Sequence, residues 1–274
     1  MPKKRILYVA PEILPYLPES YMSNICRFLP QGIQERENEI RTFMPKFGCI
    51  NERKNQLHEV IRLSGQTIIL DNSDHPLIIK VASLQVVRMQ IYFIDSDDYF
   101  KRKQLYRDAE GNFFADNDER MIFFAKGVIE TVRKLGWAPD IIHCHGWITA
   151  MVPLFIKTCY KDNPLFQDTR LVYSVYNDQF EEMLSPDFRK KLVGTGIEEC
   201  FAEGLEQAGY PELVRKAMEF SDAAVIAHPD CDPRLNPVFE AYPRDKFVHP
   251  TTDDYVDRYN DFYDALMEKT PLTF

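Results

Sequence analysis

The sequence predicts a doubly wound α/β fold: a mostly parallel sheet with helices on both faces and an added β-hairpin region. Three observations carry this expectation. Short β-branched apolar runs alternate with segments of helical periodicity along most of the chain. Several of those runs are apolar at nearly every position, as in strands buried on both faces. The length, 274 residues, is ample for one α/β domain with a full core.

Residues 5–10 (RILYVA), bounded by Pro11, read as the first strand. Residues 20–36 place Met22, Ile25, Cys26, Leu29 and Ile33 on one helical stripe, and residues 39–44 (EIRTFM), ended by Pro45, form the next strand. Strand, helix and strand in that order predict a right-handed crossover between parallel strands. From 57 to 95 the pattern changes to short runs at 60–63, 67–70, 77–82, 84–87 and 89–94, read as hairpins and an added strand. The polar and aromatic stretch 95–116 is expected to be a long surface loop. Residues 116–135 are a strong helix, with Asp116 or Asn117 as N-cap and Gly136 as C-cap. A strand at 140–145 (DIIHCH), a helix at 147–160, a strand at 170–176, a helix at 211–220 and a strand at 222–227 complete the alternation. In the tail, 253–267, Tyr255, Tyr259, Phe262, Tyr263 and Leu266 recur at helical spacing, an aromatic stripe that must bury against its own domain or a partner.

The net charge of −9 disfavours nucleic acid, and the short basic clusters Lys101-Arg102-Lys103 and Arg189-Lys190-Lys191 read as solvated faces among acidic residues. No apolar run approaches the roughly 20 residues needed to span a bilayer, and residues 6–10 are too short for a signal-peptide core, so the expected location is cytoplasmic, with no membrane partner. Six cysteines without a CxxC pair are expected to be reduced thiols.

Ligands of doubly wound sheets bind at the carboxyl ends of the strands. Four such ends are rich in polar groups: 11–24 (PEILPYLPESYMSN), 143–147 (HCHGW), Tyr176-Asn177-Asp178 and His228-Pro229-Asp230. His143 and His145 alternate on a strand and so share a face. They suit a hydrogen bond to a sugar hydroxyl, a purely structural role, or a metal, although no third metal ligand stands at a telling distance. Cys144 points away from both, which argues against a thiol–imidazole pair. There is no G-x-S-x-G elbow, no Walker A sequence and no G-x-G-x-x-G. The loop after the first strand holds no glycine to cradle a phosphate.

Taken in order, these segments resemble the N-terminal domain of the ADP-glucose-type glycogen and starch synthases, from Arg5 to about Pro229. Residues 11–15 (PEILP) are similar to the family's S-E-x-x-P. Asp116-Asn117 with Arg120 resembles D-N-x-x-R, and 139–147 (PDIIHCHGW) resembles P-D-[IV]-[IV]-H-x-H-D-W. Residues 171–177 (LVYSVYN) resemble the strand ending in T-[IV]-H-N, and 225–229 the strand ending in V-S-P.

The resemblance implies the N-terminal half of a GT-B glycosyltransferase: a Rossmann-like sheet on the α-1,4-glucan (malto-oligosaccharide) acceptor side of a cleft, with ADP-glucose held mainly by a second domain. It implies retaining glucosyl transfer, with no metal and no cofactor. His145 stands where the family's histidine contacts the transferred sugar. Glu12, Tyr16, Tyr21, Asn24, Asn117, Trp147, Tyr176 and Asn177 are the candidate substrate-binding residues.

Several positions depart from the pattern. The family's K-T-G-G-L-x-D aligns with residues 18–24, so its lysine is Pro18, its glycines are Ser20 and Tyr21, and its aspartate is Asn24. The aspartate of H-x-H-D-W is Gly146, and the histidine of T-[IV]-H-N is Tyr176. Against the family's plan the chain ends where the second domain would begin. The expectation is a domain at 1–252 and a helical tail at 253–274, inactive as a lone chain and working with a separate C-terminal half or as a homo-oligomer. The alternative is a catalytically silent glucan-binding or regulatory protein on the same fold. An unrelated hydrolase using His143, Cys144 or His145 is disfavoured by the missing elbow.

Overall fold

The structure, a computed structural model, describes residues 3–84 and 87–274. In chain order its strands and helices are β1 (Arg5–Val9), α1 (Tyr21–Glu35), β2 (Glu39–Pro45), β3 (His58–Glu59), β4 (Gln66–Leu70), β5 (Ser73–Leu84), β6 (Met89–Asp95), α2 (Asp97–Phe100) and α3 (Asn117–Leu135). There follow β7 (Ile141–His145), α4 (Met151–Lys157), β8 (Arg170–Val175), α5 (Phe188–Gly194), α6 (Tyr210–Glu219), β9 (Ala223–Ile226), α7 (Asn236–Ala241), β10 (Asp245–Val248) and α8 (Tyr255–Met267).

One sheet runs β10-β9-β8-β7-β1-β2-β6-β5-β3, with β4 paired to β5. The seven strands from β10 to β6 are mutually parallel, and β5 is antiparallel to β6. From β1 the chain first steps outward to β2 on one side, then returns to β7 on the other. Right-handed crossovers in opposite directions put α1 on one face and α3, α4 and α6 on the other. The point of reversal, between β1 and β7, is where such sheets bind ligands.

The parallel core follows the sequence reading closely, and its differences have local causes. The run at 60–63 is a turn, not a strand, because Val60 and Leu63 close hydrogen-bonded turns beside β5. The run at 77–82 is the middle of the 12-residue β5, whose N-terminal part pairs with β4 and whose remainder pairs with β6. The expected strand at 84–87 includes residues 85 and 86, which lie outside the described residues. The stretch 95–116 is not a mere surface loop. Tyr99 and Phe100 of α2 are buried, and the fully buried Arg120 of α3 holds the loop from beneath. Its Nε donates to the Tyr99 carbonyl at 2.8 Å and its Nη1 to the Leu105 carbonyl at 2.6 Å, while Phe47, Phe100, Tyr106 and Phe114 surround the guanidinium. The helix expected at 147–160 is a 3₁₀ turn followed by the shorter α4. Strand β10 and helices α5 and α7 carry too few periodic residues to have been read from sequence.

On the α1 side, α8 lies beside α1. Gly32 permits this approach, since a Cβ there would meet Val256 Cγ1 at 2.6 Å. Tyr259 and Tyr263 are fully buried and Leu266 nearly so. Burying side chains of this size contributes about 1.5–3 kcal/mol each, as an upper estimate. The flank is stitched by ion pairs of Lys4 with Asp264 and Arg36 with Asp257, and by Asn38 Nδ2 donating to Asn260 Oδ1 at 3.3 Å.

Tyr263 matters beyond its area. Its hydroxyl accepts from Tyr8 Oη at 3.1 Å and stands 2.7 Å from His143 Nδ1, whose ring partner Nε2 is 2.6 Å from Ser174 Oγ. Removing the hydroxyl strands two buried groups at once. Tyr263→Phe is expected to cost about 1–3 kcal/mol, read as a lower urea midpoint at unchanged slope; a midpoint equal to wild type would show that the chain of bonds carries no stability.

Candidate functional site

Strand β7 was built to present two imidazoles on one side. Period-two geometry puts His143 and His145 over the same face, where their rings stack at 4.1 Å between centroids. Tyr8 sits opposite His143 in register on β1, and Ser174 opposite His145 on β8. All four are buried, together with Tyr176. The polar row therefore faces the protein interior under α8 rather than solvent.

That setting decides the protonation of both rings. Burial, and secondly His145, hold His143 well below the ordinary imidazole value. Burial, and secondly His249, pull His145 from 6.5 down to about 3. His145 Nδ1 is 2.9 Å from Tyr176 Oη, and its Nε2 is buried with no partner among the described residues. Both imidazoles are neutral at pH 7, suited to exchanging hydrogen bonds and not to carrying charge. Cys144, on the opposite face, has its thiol pushed up by burial and is not a nucleophile. Among the described residues no group of three or more His, Cys, Asp or Glu side chains could hold a metal ion.

The end of β7 depends on a glycine. Gly146 has φ 72° and ψ 169°, a conformation reached essentially by glycine alone. A Cβ there would lie 2.6 Å from Asp178 Oδ2 and 2.8 Å from Met22 Cε. The Asp178 carboxylate, from the end of β8, thus fills the place where a side chain at 146 would start. Its Oδ2 accepts the Trp147 N–H at 2.8 Å, and its Oδ1 accepts from the Tyr210 hydroxyl at 2.8 Å. Burial raises its carboxyl to about 6, those two hydrogen bonds oppose the rise, and Glu12 adds to it.

The N-terminus of α1 is closed by its own residues. Ser20 Oγ accepts the Ser23 N–H at 2.9 Å, Ser23 Oγ accepts the Ser20 N–H at 2.7 Å, and Ser20 Oγ donates to Glu12 Oε2 at 2.6 Å. A helix N-terminus attracts anions, but here a carboxylate already stands on the cap.

The remaining candidates lie in different surroundings. Tyr176 joins His145 in the buried row. Trp147 is buried against Tyr106, Phe113 and Phe180, with Tyr106 4.8 Å away. Tyr16 is buried edge-on to Phe93, and Asn117 is fully buried with Nδ2 donating to the Tyr106 carbonyl and Oδ1 accepting from Arg120. Asn24 Nδ2 donates to Glu19 and to the Ser20 carbonyl. Only Tyr21, 38% exposed, and Asn177 present much of themselves to solvent. Tyr21 packs near-perpendicular to His228 at 4.6 Å and to His249 at 5.8 Å. Sequence reasoning missed His249 and Tyr210, lone polar residues outside any motif, and left Asp178 off the site although it named the strand end that carries it.

A sequence model of the starch synthase catalytic domain family matches residues 5–230. This chain belongs to that family. The glycogen synthase of Chlorobium luteolum is 40% identical over 190 residues, 69% of this chain and 39% of the relative. That of Chlorobaculum parvum is 34% identical over 227 residues, 82% of this chain and 46% of the relative. The chain thus spans less than half the length of these curated relatives. The catalytic domain of starch synthase IV from Arabidopsis thaliana, solved bound to ADP and acarbose, matches with a TM-score of 0.72 at 16% identity over 92% of this chain and 54% of that one. At that identity the likeness is one of fold, and the fold is that of a GT-B glycosyltransferase domain.

Within this starch synthase domain, Gly146 offers a direct test. Gly146→Asp, which restores the residue of the family's H-x-H-D-W, is expected to cost about 1–3 kcal/mol or more in stability. Combining it with Asp178→Ala should recover only the steric part of the loss in a denaturation cycle. A Gly146→Asp protein as stable as wild type would contradict this account of the turn.

Proposed function

We propose that this chain is the acceptor side of a glycogen/starch-synthase-type glucosyl transfer from ADP-glucose: it binds α-1,4-glucan and does not transfer glucose by itself. The observation that carries the reading is the α1 N-terminus, capped by Ser20 and faced by the Glu12 carboxylate. A pyrophosphate there would have to displace the cap and approach a negative group, and no lysine stands at residue 18 to offset the charge. A glucan needs only hydroxyl-matching polar groups and an aromatic surface, which Glu12, Asn177 and Tyr21 supply.

Two features of the same site favour the catalytically silent version of this reading. His145, the residue matching the family's sugar-contacting histidine, is fully buried beneath the strand ends. Its Tyr176 neighbour stands where the family pattern has a histidine. The tail at 253–274 acts, in this reading, as the closing element of the domain at 1–252.

Calorimetric titration with maltoheptaose and with ADP-glucose tests the proposal, with His145→Ala as companion. Maltoheptaose should bind, and ADP-glucose should give no saturable heat. Saturable ADP-glucose binding that weakens in His145→Ala would mean that the buried row opens to the donor, and the proposal would fall.

A further inference from the structure

We propose that Tyr21, held near-perpendicular to His228, is the stacking surface for one pyranosyl ring of an α-glucan, at two positions where the family's pattern has small residues. The inference rests on the glucan reading above and assigns its place on the surface.

Two departures from the pattern, far apart in sequence, meet in space. Tyr21 replaces the second glycine of K-T-G-G-L, and His228 replaces the serine of V-S-P. Their rings are 4.6 Å apart at 74°. Together they brace each other: the imidazoles of His228 and His249 hold the phenol ring near-perpendicular, and it still keeps 38% of its surface exposed. A braced, half-exposed ring near the strand ends suits the C–H face of a sugar, which stacks on aromatic surface at little entropic cost.

The hydroxyl rim of such a sugar has donors and acceptors within the same cluster. His228 Nδ1 accepts the Asp230 N–H at 3.0 Å, so in the neutral ring the remaining N–H is on Nε2. Asn177 lies two residues past Val175 on β8, as His228 lies two past Ile226 on β9, and those two strand residues are paired in register. The exposed Asn177 amide is therefore on the neighbouring strand end. The Glu12 carboxylate on the Ser20 cap stands at the residue before Tyr21, where it disfavours a phosphorylated ligand and tolerates a neutral one.

Titration of maltoheptaose into wild type, Tyr21→Ala, Tyr21→Phe and His228→Ala decides the matter, with melting curves confirming each fold. Tyr21→Ala should weaken binding about tenfold or more and Tyr21→Phe by no more than about twofold, since the ring and not its hydroxyl makes the stack. His228→Ala should fall between them. Equal affinity in wild type and Tyr21→Ala would overturn the platform while leaving the glucan reading intact. So would an equal loss in Tyr21→Phe and Tyr21→Ala. No saturable maltoheptaose binding by wild type would sink the glucan reading, and the platform with it.

Discussion

A sheet face that points into a protein normally carries apolar side chains, because an unpaired buried polar group costs roughly 1–3 kcal/mol. Here Tyr8, His143, His145, Ser174 and Tyr176 line such a face across three adjacent strands, and all are buried. The fold must supply partners for them. Ser174 and Tyr176 come from the neighbouring strand, and Tyr263 comes from the far end of the chain to satisfy both Tyr8 and His143. The tail helix is thereby tied to the middle of the sheet by polar bonds as well as by burial, and the close approach at Gly32 and the ion pairs along its flank follow from that placement.

The same constraint shapes the chemistry at the strand ends. With the histidine row covered, the surface left at the ligand edge is made of the β1–α1 loop, the end of β8 and the end of β9. Each has been altered in one direction relative to the family's pattern. The loop carries a serine cap with a carboxylate on it where the family's pattern has two glycines. The β7 turn has lost its aspartate, and Asp178 has taken the space from an adjacent strand. Glycine and serine have become Tyr21 and His228. In the proposed reading these departures favour hydroxyl and ring recognition over anion binding, which is why the glucan side of the family's chemistry is the part we assign.

Much of this was legible before any coordinates. The continuous apolar run at 5–10 reads as a strand buried on both faces, 140–145 as a further strand, and the stripes of 116–135 and 253–267 as helices with one covered face. The order of family-like segments placed the strand ends correctly. What could not be read was burial of polar residues. Arg120 reads only as the arginine of the D-N-x-x-R resemblance, yet it is the post around which 95–116 folds. Tyr16, Trp147 and Tyr176 read as substrate-binding residues, but each is enclosed by groups distant in sequence. His249 and Tyr210 belong to no periodic pattern, so only the topology, which places β10 and α6 beside the site, reveals them. Only 77–82 of the β5 strand was read from sequence, because its first residues, Ser73 to Pro76, carry no apolar run.

The central claim, that the histidine row is sealed and neutral, can be measured directly by following the imidazole nitrogens by NMR from pH 8 to pH 5. Imidazoles whose folded values are depressed contribute stability that is full above their ordinary value near 6.5 and is lost as pH falls toward the folded value, about 3 for His145. Over the measured range, His143 and His145 should keep the nitrogen shifts of single neutral tautomers. Protonation of either ring with a midpoint near 6.5 would show that water reaches the row, and the account of a closed site would be wrong.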